Sequence, residues 1–127
     1  MDATEIRALT DLYIDAYNRK DIAAMLLTIH AEVEFSNISM GVVNTHTVGV
    51  AEFKALAEQS VALFSERHQD IVFFESGDNT AVAGIKFRAV VAIDLPNGLK
   101  KGQVLEMEGR SEFEFRDGLI SRIKDIS

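Results

Sequence analysis

The stretches Thr80–Leu95, TAVAGIKFRAVVAIDL, and Gln103–Arg116, QVLEMEGRSEFEFR, decide the fold. In each, every second side chain is apolar or small, which is the period of a strand with one buried face. Pro96-Asn97-Gly98 lies between them, a turn signal that makes the pair a long antiparallel hairpin. With the loop centred near Leu99, paired residue numbers sum to about 198. Ile85, Phe87, Ala89, Val91 and Ile93 then face Phe113, Ser111, Gly109, Met107 and Leu105. On the opposite face Lys86 meets Glu112, Arg88 meets Arg110, and Val90 meets Glu108. One face is apolar with a serine and a glycine set into it, and the other is mostly charged. Strands of this length twist and curl, so helices packed on the apolar face would enclose a cavity.

The flanking sequence supplies those helices. Thr4 can cap a segment from Glu5 to Asn18 with Ile6, Leu9, Leu12, Tyr13, Ala16 and Tyr17 on one stripe. Asp21 starts a short second helix carrying Ile22, Met25, Leu26 and Ile29. From Ala31 to Ile38 the period changes to two, with Val33, Phe35 and Asn37 on one side of a strand. Ser39 to Gly49 reads as a loop or irregular strand, and Val50 to Phe64 as a third helix. After Asp70 everything is strand-like: Ile71–Glu75, the two long strands, and Leu119–Ile126, divided by Gly77-Asp78-Asn79, Pro96-Asn97-Gly98 and Asp117-Gly118. Short connections predict an antiparallel meander. The expected architecture is one α+β domain over residues 1–127, helices first and a curled sheet after.

Composition narrows the function. Lys and Arg total 13 against 20 Asp and Glu, a net charge of −7, and no basic run is present. Nucleic acid and anionic membranes are poor partners for such a chain. It has no cysteine, which excludes disulfides, thiolate metal sites and a cysteine nucleophile. No apolar run reaches the roughly 18 residues of a membrane span. Met1–Ile6 is polar, unlike a signal peptide, so a cytoplasmic protein is expected.

The order of elements resembles the nuclear transport factor 2-like superfamily, which includes ketosteroid isomerases and SnoaL-like polyketide cyclases. Three segments carry the resemblance. Tyr13-Ile14-Asp15-Ala16-Tyr17-Asn18-Arg19-Lys20-Asp21-Ile22 is like the family's turn between its first two helices. Ile29–Phe35 is like its entry into the first strand, and Glu112–Ile120 like its closing hairpin. The resemblance implies a conical half-barrel, a mostly antiparallel curled sheet with the N-terminal helices on its concave face. It also implies a homodimer through the convex face. In the isomerases a carboxylate base works with a Tyr and a neutral Asp that hold the enolate oxygen. Position by position, the Tyr matches Tyr13, the base falls on Asn37, and the neutral Asp falls on Ser111. An amide cannot take a proton, so steroid isomerisation by that route is disfavoured. SnoaL-like cyclases instead place an acid/base Asp near the end of the last strand, which corresponds to Asp125.

Each candidate has a bland reading beside the functional one. Tyr13 and Tyr17, one helical turn apart, are either core tyrosines or pocket donors. Asn37 either binds ligand or satisfies loop backbone. Asp125, if desolvated, gains a raised pKa suited to a general base, yet Arg122 and Lys124 beside it equally suit a solvated strand end. His30, His46 and His68 lack metal-ligand spacing, and Glu106, Glu108, Glu112 and Glu114 alternate on the outer face, so no metal or other cofactor is expected. Ser111 lacks a nucleophile elbow. Gly109 either opens the cavity floor or bends its strand.

The expected catalytic set is therefore Tyr13, Asn37 and Asp125. Tyr17, Phe35, Phe53, Phe87, Met107, Ser111 and Phe113 would line the ligand site. The leading reading is a cofactor-independent isomerase or cyclase acting on a small hydrophobic carbonyl compound. The alternative is a non-catalytic ligand-binding or dimerisation module of the same fold.

Overall fold

The computed structural model describes residues 1–127. The N-terminal stripe winds into helix α1 (Ala3–Asn18), and its cap is Asp2 rather than Thr4. The Asp2 carboxylate accepts from the Glu5 N–H at 2.8 Å, and Glu5 returns the bond to the Asp2 N–H at 3.0 Å. This reciprocal box satisfies two backbone donors that the helix leaves free, and Thr4 falls inside the helix. Asp21 caps α2 (Ile22–Leu26) in the same manner, accepting from the Ala24 N–H.

Strand β1 (Ile29–Ser39) follows, and the expected loop after it is a second strand, β2 (Val42–Val48). Met40 and Gly41, both with positive φ, turn the chain so that Ser36, Asn37 and Phe35 pair with His46, Thr45 and Thr47. Helix α3 (Val50–Leu63) leads straight into β3 (Phe64–Ser76), which starts at Phe64 rather than Ile71. The polar run Ser65–Asp70 hid this strand, because its buried face is made by Arg67 and Gln69 instead of aliphatic residues. β4 (Thr80–Val91), β5 (Val104–Arg116) and β6 (Leu119–Ile126) complete a six-stranded sheet in the order β2-β1-β6-β5-β4-β3. Only the β1–β6 pair is parallel. Asp117 and Gly118, with φ of 55° and 76°, form the tight β5–β6 turn that two positive φ values permit.

The β4–β5 register differs from the expected one. Ile85 pairs with Gly109 rather than Phe113, Lys86 with Glu108 rather than Glu112, and Arg88 with Glu106 rather than Arg110. The loop centres on Asn97 instead of Leu99, with the Leu95 N–H bonded to the Leu99 carbonyl at 2.8 Å. The displacement is an even number of residues, so each side chain keeps its face. It also replaces the Arg88–Arg110 clash with an Arg88–Glu106 pair at 3.8 Å. Glu112 and Glu114 take Arg110 and Arg122 as their convex-face partners.

The helices pack on the concave face over a core that includes Ile6, Val33, Ile120, Ile123 and Phe113, each no more than 1% exposed. The end of α1 is pinned to β3: the Asn18 amide donates to the Gln69 carbonyl at 3.0 Å and accepts from the Gln69 N–H at 2.8 Å. That clamp fixes Tyr13 and Tyr17 against the sheet. No helix is long and apolar enough to cross a membrane.

Gly109 borders a cavity on the concave face, and its missing side chain also makes room for backbone. A Cβ built there would lie 2.5 Å from the Ile126 carbonyl oxygen, so the glycine lets the end of β6 cross close over β5. Gly109→Ala is expected to lower stability by roughly 1–3 kcal/mol in chemical denaturation, the usual cost of forcing extra volume into a packed contact. An unchanged midpoint would contradict this close approach.

Candidate functional site

Three neighbouring strands bring three polar residues into one row. On β6, Asp125 pairs with Asn37 of β1 on one side and with Ser111 of β5 on the other. The parallel β1–β6 pairing and the antiparallel β5–β6 pairing together set this row on the concave face. The Ser111 hydroxyl donates to the Asp125 carboxyl at 2.6 Å. The Asn37 amide donates to the Asn44 side chain at 2.9 Å, and Asn37 also borders the cavity.

Two chambers meet at this row. The outer one, about 150 Å³, is bordered by Asn37, Ser111, Phe87, Met107 and Gln69. It opens where β5 runs on past the last β6 partner, Ile126. The inner one, about 110 Å³, lies under the helices and is bordered by Tyr13, Phe35, Phe53, Leu56, Ser60 and Arg67. Tyr17 and Asp125 border both. The structure thus brings nine of the ten expected site residues to one chamber or the other. Phe113 lies elsewhere: it is 1% exposed and packs edge-on to the Tyr13 ring at 6.1 Å, supporting that tyrosine from behind. Phe35 and Phe53 meet edge-to-face at 5.9 Å across the inner chamber.

The electrostatics follow from burial. Loss of water pushes the Asp125 carboxyl up to about 6, against the opposing effect of the Ser111 hydrogen bond, which favours the ionised form. Burial also raises Tyr13 well above the ordinary tyrosine value, helped by the nearby Asp125 and Tyr17 and opposed by Arg67. Tyr17 is raised by burial, with Arg67 opposing. Both phenols are therefore protonated donors at neutral pH.

Arg67 and Gln69 are the residues that the sequence reading missed. Arg67 is 5% exposed; its Nε donates to the Tyr17 carbonyl at 3.1 Å, its Nη1 to the Ser60 hydroxyl at 3.2 Å, and its plane lies 3.8 Å from the Tyr17 ring centroid. Extending the period of two backwards from Ile71 through Gln69 to Arg67 would have found them. The three histidines lie outside both chambers. His30, with a side chain 13% exposed, bonds to Asp117, and the exposed His46 and His68 bond to Ser36 and Asp70. No group of three or more His, Asp or Glu is gathered where it could hold a metal ion.

The raised Asp125 pKa has a stability consequence with a definite sign. Between about 3.8 and about 6 the folded protein retains a proton that the unfolded chain has released. Stability is therefore full below the unfolded value and falls as pH climbs through the folded one. Relative to Asp125→Asn, the wild type is expected to lose about 3 kcal/mol between about pH 3.5 and 7.5, from 1.36 kcal/mol per pKa unit. Urea melts of both proteins across that range check this, and parallel profiles would contradict it.

The sequence profile of the SnoaL-like domain matches residues 10–123. A proposed polyketide cyclase from Xanthomonas campestris pv. campestris superposes with a TM-score of 0.83 at 22% identity, over 98% of this chain and 90% of that one. A proposed SnoaL-like polyketide cyclase from Jannaschia sp. CCS1 gives 0.82 at 11% identity, over 96% and 84%. A nuclear transport factor 2-like protein of unknown function from Burkholderia pseudomallei K96243 gives 0.77 at 15%, over 98% and 90%. No curated protein sequence matches. At these identities the superpositions speak for the fold alone. By the profile match over most of its length, the chain belongs to the SnoaL-like domain family.

Proposed function

We propose that the protein is a cofactor-independent isomerase or cyclase that moves a proton on a small hydrophobic carbonyl compound. The observation that supports this most is Asp125, a carboxyl raised to about 6, set between Ser111 and Asn37 where two largely apolar chambers meet. A base of that pKa is ionised at neutral pH yet still returns its proton readily, the compromise that general acid–base catalysis favours. In the proposed step Asp125 takes a proton from the carbon beside the carbonyl. The C–H electron pair moves to form an enolate, whose oxygen accepts from the Tyr13 hydroxyl. Asn37 orients the carbonyl, and Asp125 returns the proton to carbon. Nothing is oxidised or reduced. The apolar walls from Phe35, Phe53, Phe87 and Met107 exclude water and hold the hydrophobic body of the substrate.

Binding without turnover is the second reading, supported by Asn37, an amide where the related isomerases carry their base. A homodimer through the convex face belongs to the same proposal. Phe73 and Val104 are 51% and 47% exposed, and the side chain of Phe73 packs against Gly84 on that face.

Proton exchange separates the two readings. Small cyclic ketones incubated in D₂O with the protein are expected to lose α-protons, followed by NMR, with a rate that rises through about pH 6. Asp125→Asn is expected to cut the rate by about 10²-fold or more, and Tyr13→Phe by roughly tenfold. Exchange that survives Asp125→Asn would contradict the assigned role. Saturable binding of the ketones with no exchange would favour the binding module.

A further inference from the structure

The Arg67 guanidinium is charged at every ordinary pH and carries five N–H groups. Two are used, by the Tyr17 carbonyl and the Ser60 hydroxyl, and both acceptors are neutral. The third contact is the face of the Tyr17 ring, also neutral. No carboxylate lies within ion-pair distance of Arg67, and its Nη2 is buried without any acceptor. A buried cation with unused donors is costly, and such a group is ordinarily matched by an anion. Here the side chain is 95% buried and borders the inner chamber. The remaining lining of that chamber is aromatic, aliphatic or hydroxyl, except for Asp125 at its junction with the outer one.

We propose that the inner chamber recognises a carboxylate on the ligand, and that Arg67 supplies the matching charge. This deepens the reading above, since it names the polar end of the same ligand, and it rests on that ligand occupying the inner chamber. Arg67 and Asp125 then have separate tasks. One end of the chamber neutralises a fixed negative group, and the junction handles the proton. The two tyrosines, which border the same chamber, feel both charges. A planar fork such as guanidinium suits a delocalised oxyanion better than an ammonium does.

Benzoate and its neutral isostere benzamide are the probes, titrated by NMR into the wild type, Arg67→Met, Arg67→Lys and Asp125→Asn. The wild type is expected to bind benzoate about tenfold or more tightly than benzamide. Arg67→Met abolishes the preference while leaving benzamide binding within about twofold, and Arg67→Lys restores part of it. Asp125→Asn keeps or increases it, because that variant removes only the negative charge at the junction. Equal affinity of the wild type for the two probes overturns the proposal, as does a preference that persists in Arg67→Met. Loss of the proton exchange in Asp125→Asn with the benzoate preference retained supports both assignments. Retention of exchange in Asp125→Asn would sink the catalytic reading and leave the oxyanion site standing.

Discussion

A hydrogen bond of 2.6 Å from Ser111 to Asp125 holds a carboxyl within an apolar wall, and the proposed chemistry depends on that placement. The bond exists because two different pairings of β6 agree. Its antiparallel ladder with β5 sets Ser111 opposite Asp125, and its parallel ladder with β1 sets Asn37 opposite the same residue. A slip of one residue in either ladder would turn Asp125 to the charged convex face, where its carboxyl would be an ordinary solvated one. The β1–β6 ladder is tied down just past its last pair. The Ser127 N–H bonds to the Ile38 carbonyl at 2.9 Å, and the Met40 N–H to the Ser127 carbonyl at 3.1 Å. Gly109 allows the Ile126 carbonyl to sit where a side chain would block it.

The site that results is polarised. Asp125 stands at the junction of the two chambers and Arg67 on the wall of the inner one, with Tyr13 and Tyr17 influenced by both. Helix α1 carries the tyrosines and β3 carries Arg67, and the Asn18–Gln69 clamp joins those elements. The clamp that completes the fold is thus also what sets the spacing of the site. Removal of water does the rest. It lifts the carboxyl to about 6, keeps the phenols protonated, and leaves a buried guanidinium nitrogen without an acceptor, which the proposed ligand carboxylate would match.

Much of this was legible in the sequence, and the exceptions have physical causes. The two-residue period of β4 and β5 and the helical stripe of α1 come from burial of one face, so they are visible in apolar spacing alone. The β4–β5 register was misplaced because turn centre is a local property of Pro96-Asn97-Gly98, whereas the faces depend only on parity. Strand β3 was cut short because its buried face uses Arg67 and Gln69, and polar residues carry no hydrophobic period. For the same reason Arg67 went unnoticed: its burial is created by Tyr17, fifty residues earlier in the chain, and by Ser60 of α3. Asp125 could be nominated from the resemblance. Its orientation could not be, since Arg122 and Lys124 just before it are equally at home on a solvated strand end.

The proposed proton transfer requires a desolvated carboxyl at Asp125, and carboxyl ¹³C NMR of that residue measured as a function of pH tests it most directly. The expected midpoint is near 6, well above the ordinary aspartate value of 3.8. The shift should be larger still in Ser111→Ala, which removes the hydrogen bond that favours the ionised form. A midpoint near 4 in the wild type, unmoved by that substitution, would mean that Asp125 faces water, and the proposed proton transfer would have no base.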